Sequence, residues 1–77
     1  MRRAGTVVRI AQGKAVIRCP DEQHPQIGDS VVDDELRHVG RVVDVIGPVR
    51  RPYAVLTAGE DIEVTQLLGR VLYLRNE

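Results

Sequence analysis

Apolar residues along this chain come in short runs bounded by turn chemistry. Six segments are rich in β-branched residues and of strand length: 5–10 (GTVVRI), 14–18 (KAVIR), 30–32 (SVV), 41–46 (RVVDVI), 53–56 (YAVL) and 70–74 (RVLYL). Between them lie Gln12-Gly13, the loop from Pro20 to Gly28, the acidic run Asp33-Asp34-Glu35, Gly47-Pro48 and Ala58-Gly59-Glu60, all residue types that stop a ladder or close a turn. No segment sustains a helical period, and Glu60 to Leu68 has room for a single turn of helix. The pattern predicts an all-β chain of six strands.

Three of the runs begin alike, at Gly5, Gly40 and Gly69, with unequal spacing that excludes a tandem repeat. Glycine at these points permits bends or bulges. Six short strands curling round a core too small for two stacked sheets predict a small closed or nearly closed six-stranded β-barrel filling residues 1–77 as one domain, since an open six-stranded sheet would leave one face without a cover.

Strict alternation along 41–46 divides the strand into two faces. With Val43 and Val45 filling the barrel, Val42, Asp44 and Ile46 form an outward stripe with two apolar members. Asp44 is the one acid inside that strand, and it either meets water or a partner's cation or N–H group. The connection that follows, Gly47-Pro48-Val49-Arg50-Arg51-Pro52-Tyr53, carries two prolines that cannot donate to a ladder. Each also pushes the residue before it towards extended backbone, so a stiff, extended connection is expected. Rigid segments lose little entropy on docking, and arginine beside tyrosine is a composition favoured at interface hot spots. A plain rigid hairpin fits the same residues.

Composition narrows the partners. The chain of 77 residues is 43% hydrophobic and has no run long enough to span a bilayer. MRRAGTVVRI lacks the apolar stretch of a signal peptide. A cytoplasmic protein is expected, and the single Cys19 fits a reducing compartment. Lys+Arg and Asp+Glu both number 11, which gives no global field to draw the chain onto nucleic acid. All but Lys14 of the basic residues are arginine, a bias that GC-rich codons explain and that still leaves planar forks available at an interface.

Candidate chemistry is sparse. His24, His38 and Cys19 match no paired zinc spacing, so no metal and no cofactor is expected. Asp33, Asp34 and Glu35 read as a polar turn in preference to a hard-cation site. Ser30, Thr6, Thr57, Thr65 and Cys19 have no histidine or activating turn beside them in sequence, so no catalytic residue is expected.

The run from Gly40 to Tyr53, with Val42, Asp44-Val45-Ile46-Gly47-Pro48-Val49 and Pro52-Tyr53, resembles the G-x-V-x-D-V-F-G-P-V-x-x-P-Y signature of the glycine- and arginine-rich (Gar) proteins of box H/ACA ribonucleoproteins, in their short archaeal form. The likeness extends to Gly5-Thr6-Val7, Ile27-Gly28-Asp29-Ser30-Val31 and Leu68 to Leu74. Ile46 stands where that family usually has phenylalanine, and the arginine-glycine tails of eukaryotic members are absent. The resemblance implies a small closed β-barrel of the split-barrel, translation-protein-like kind that is non-catalytic, binds the catalytic domain of the pseudouridine synthase, promotes substrate RNA loading and release in rRNA pseudouridylation, and meets guide and substrate RNA only through the complex. With the outward stripe and the stiff connection as the docking surface, the expected partner-binding residues are Val42, Asp44, Ile46, Gly47, Pro48, Val49, Arg50, Arg51, Pro52 and Tyr53. Two other readings stay open: a ribosome-maturation-type barrel binding a ribosomal protein, and direct RNA binding through Arg2, Arg3, Arg50 and Arg51.

Overall fold

The computed structural model describes residues 2–20 and 24–75. Six strands, β1 (Arg2–Ala11), β2 (Lys14–Arg18), β3 (Ser30–Val32), β4 (His38–Ile46), β5 (Tyr53–Ala58) and β6 (Val71–Leu74), form a closed antiparallel barrel in the order β1-β2-β5-β4-β3-β6. The expected all-β six-stranded barrel is the observed fold. One short 3-10 helix, Val64–Leu67, sits in the segment that had room for a helical turn.

Turn chemistry sets the hairpins. Gln12 and Gly13 both take positive φ, 53° and 77°, and join β1 to β2 with Ala11 paired to Lys14. That is the two-residue loop whose twist matches the flanking strands. The turn after β3 is less obvious, because Leu36 occupies the left-handed region at φ 68°, a conformation that costs a side-chain-bearing residue about 1 kcal/mol or more. Asp33 holds it there. Its carboxylate accepts hydrogen bonds from the N–H groups of Glu35 and Arg37 at 2.9 Å, and from Arg37 Nε at 3.0 Å.

Bulges curl the sheet into a barrel. The register slips between Arg3 and Gly5, between Val7 and Arg9, between His38 and Gly40 on β4 opposite Val31 and Val32, and between Val42 and Asp44. Each slip inserts one residue and sharpens the local twist. Gly5 and Gly40 lie inside β1 and β4 at these bends, where the expectation had them opening the strands. A Cβ at either would stand 2.1 Å from a carbonyl oxygen of the neighbouring strand, Arg18 O or Thr57 O, so only glycine allows so close an approach.

Val7, Ile17, Val31, Val39, Val42, Leu56 and Leu72 fill the interior, with the small Ala15 and Ala54 buried among them. Such alternation of large and small residues is how a barrel of this size packs without voids. Leu67 of the short helix joins this core, and Ile62 and Val64 pack against it.

Here the face assignment of β4 is corrected. Val42 is 1% exposed and belongs to the core, whereas Val43 is 38% exposed. Val43 is the inserted residue of the bulge, since Val42 pairs with Leu56 and Asp44 with Val55. The inward-outward alternation therefore changes phase at Val43. Beyond it Val45 packs on the core while Asp44 and Ile46 point outward, as expected.

Candidate functional site

β4 and β5 end together at the pair Ile46–Tyr53, and the loop 47–52 caps them. The prolines flank the loop at the strand ends, where a missing N–H costs no ladder bond. The middle of the loop is a turn instead of the expected extended run: Arg51 N donates to Pro48 O at 3.1 Å, which puts Val49 and Arg50 at the tip. At the base, Pro52 is buried and its carbonyl accepts from Cys19 N at 3.1 Å, tying the loop to the end of β2. Gly47 has φ 90°, and a Cβ there would stand 3.0 Å from Cδ1 of the Tyr53 ring. The ring thus lies against the loop backbone.

Of the ten residues singled out in the sequence, eight have accessible side chains or backbone in this region and two do not. Asp44, Ile46, Gly47, Pro48, Val49, Arg50 and Arg51 are exposed and Tyr53 is half-buried; Val42 and Pro52 are interior. Val49 is 85% exposed and Ile46 45%. Aliphatic side chains this open, at the tip and root of one hairpin, form the kind of patch that proteins bury against partners. A small groove of about 240 Å³ runs between them, lined by His24, Val45, Ile46, Pro48, Val49 and Pro52.

The patch continues over the barrel wall. Register places Arg18, Tyr53 and Ile46 in one row across β2, β5 and β4. The next row holds Arg9, Val16, Val55 and Asp44, and a third holds Lys14, Thr57 and Arg41. The sequence did not show that Val8, Arg9 and Val16 adjoin Ile46 and Tyr53, because single strands do not show which outward positions neighbour one another. The β-branched Val16 and Val55, alternating with buried alanines, were the available signal.

At the other end of β4, Asp33 is 4% exposed and anchors the acidic turn. Burial pushes its carboxyl up, but the hydrogen bonds from Arg37 N and Glu35 N, with the Arg37 guanidinium, outweigh this and hold it below the usual carboxylate value. Arg37 also pairs with Glu35 at 3.3 Å, and Arg70 with Asp34 at 3.6 Å. The cleft there, about 490 Å³, has charges of both signs on its walls. Among the described residues no three His, Cys, Asp or Glu side chains cluster to hold a metal ion. No helix among them is long and apolar enough to cross a membrane.

Among solved structures the chain is similar to the Gar1 domain of NAf1, with a TM-score of 0.70 over 96% of this chain and 81% of that one. The fold is Gar1-like. Sequence identity to that domain is 11%, so the likeness is one of architecture. No protein-family model and no curated protein matches the chain. The Gar1-like barrel accords at the level of fold with the resemblance carried by residues 40–53.

Proposed function

We propose that this Gar1-like barrel is a non-catalytic subunit of a box H/ACA pseudouridylation particle in an archaeal cytoplasm, docking onto the synthase subunit through Asp44, Ile46 and the 47–53 loop. The observation that carries the reading is the exposure of Ile46 and Val49 beside Tyr53, on a loop stiffened by two prolines and tied down at Pro52. A rigid apolar knob loses little entropy on binding and gains by leaving water. The isoleucine at position 46 keeps the apolar contact with less area than the family's phenylalanine.

In this role the barrel performs no chemistry. It biases a mobile loop of the synthase between positions that load and release substrate RNA, and it does so only to the extent that it binds one position better, an effect of about 1–3 kcal/mol. RNA contact is indirect. Tyr53 and Tyr73 are the only aromatics, too few to make a stacking platform for single-stranded bases.

Calorimetric titration of the protein into the box H/ACA pseudouridine synthase of the same organism, with guide RNA alone as comparison, tests the reading. Binding to the synthase with none to the RNA is the expected result. Binding to RNA alone would overturn it in favour of a direct RNA binder, and silence in both would make a ribosome-maturation role the better account.

A further inference from the structure

The wall of β1, β2, β5 and β4 carries a second feature beyond the hairpin tip. A shallow groove of about 300 Å³ is lined by Val8, Arg9, Val16, Ile46 and Tyr53. Its floor is aliphatic, and Val8 reaches it because the β1 bulge displaces that residue from the ladder. Arg9 lines it, register sets Arg18 beside Tyr53, and Lys14 and Arg41 follow in the outward row beyond Val16 and Asp44; all four are exposed.

Among the described residues, none of these four cations takes part in an ion pair. Every ion pair among the described residues belongs to Arg37 or Arg70, beside the acidic turn. The one carboxylate in the outward rows is Asp44, and its Oδ1 accepts the Val45 N–H at 2.8 Å. The other described acids, Asp29, Asp33–Glu35, Glu60, Asp61 and Glu63, lie in loops outside these rows. A chain of zero formal charge thus presents a cationic face with an apolar centre.

That combination selects the occupant. Single-stranded RNA would meet the cations but find only Tyr53 to stack on. A second copy meeting this face with its own cationic face would bring like charges together, which costs affinity. An apolar side chain flanked by carboxylates satisfies both floor and rim. We propose that this groove seats a segment of the synthase subunit in which an apolar residue is flanked by Asp or Glu, with Arg9 and Arg18 as its nearest cationic contacts. The inference rests on the docking reading above and extends that interface from the hairpin tip onto β1 and β2.

The test measures synthase affinity for the wild type, Arg9→Glu, Arg18→Glu and, as a control with the same charge change on another strand end, Arg75→Glu. All three arginines are exposed, and thermal melts check that each variant stays folded. We expect Arg9→Glu and Arg18→Glu each to weaken binding about tenfold or more, Arg75→Glu to leave it within about twofold, and wild-type association to slow with added salt. Binding that survives both reversals but is lost in Ile46→Asp would overturn this inference and leave the docking reading intact. Absence of wild-type binding would overturn both. A short single-stranded RNA bound by the wild type and released by the reversals would assign the face to phosphate and overturn the protein-segment inference alone.

Discussion

Val42 and Ile46 look alike in the sequence, two β-branched residues at even spacing on one strand, yet they lie on opposite sides of the barrel wall. Truncating a buried valine loses transfer energy and leaves a cavity, so Val42→Ala should cost about 2 kcal/mol in urea denaturation. Ile46→Ala, at 45% exposure, should stay within about 0.5 kcal/mol of the wild type. The reverse order would place the change of phase elsewhere than Val43. Asp33 makes a different kind of residue-scale prediction. Its carboxyl sits lower in the folded protein than the usual 3.8, so it adds stability above that pH, lost as pH falls through the lowered value. Asp33→Asn should therefore destabilise the barrel at neutral pH, by about 1–2 kcal/mol for weakened hydrogen bonds to two backbone N–H groups and a guanidinium. It should also flatten the acid limb of a pH-stability curve. An acid limb unchanged in the variant would mean that Asp33 is not the group responsible.

At the scale of elements, β-branched runs and turn residues made all six strands legible, because strand propensity and turn chemistry are local properties. Two features were not legible. A bulge depends on what the neighbouring strand does, so alternation within 41–46 gave the right faces for Asp44, Val45 and Ile46 and the wrong ones for Val42 and Val43. Leu36 carries no local cue for positive φ, since the conformation is imposed by the Asp33 carboxylate and not by the residue itself. The loop 47–52 was legible in its ends and not in its middle: proline placed the strand ends, while the turn closed by Arg51 N and Pro48 O needed the Cys19–Pro52 tie to set its course. Glycine at the bends is the element-scale device with the sharpest consequence. Gly40→Ala sets a methyl group against Thr57 O on the adjacent strand, and forcing the two strands apart should cost about 3 kcal/mol, visible as a lowered thermal midpoint. A midpoint within a degree or two of the wild type would show that the strands can part there at little cost.

The whole molecule divides its charge. Among the described residues the carboxylates other than Asp44 gather in the loops around Asp29, Asp33–Glu35 and Glu60–Glu63, and Arg9, Lys14, Arg18 and Arg41, outside every ion pair there, spread over the wall that leads to the exposed hairpin. Equal totals of 11 and 11 conceal this, which is why composition argued against a global field and could not speak to a local one. The hairpin tip and this wall form one continuous surface through Ile46, which lines the groove on either side. Interface energy concentrates in a few buried anchors, and in the proposed docking Ile46 and Tyr53 are those anchors. Side-by-side calorimetric titration of the wild type, Ile46→Asp and Tyr53→Ala into the synthase subunit tests the docking claim most directly. The account predicts that both variants keep a cooperative thermal transition and lose about 2 kcal/mol or more of binding free energy. Folded variants that bind as tightly as the wild type would contradict it.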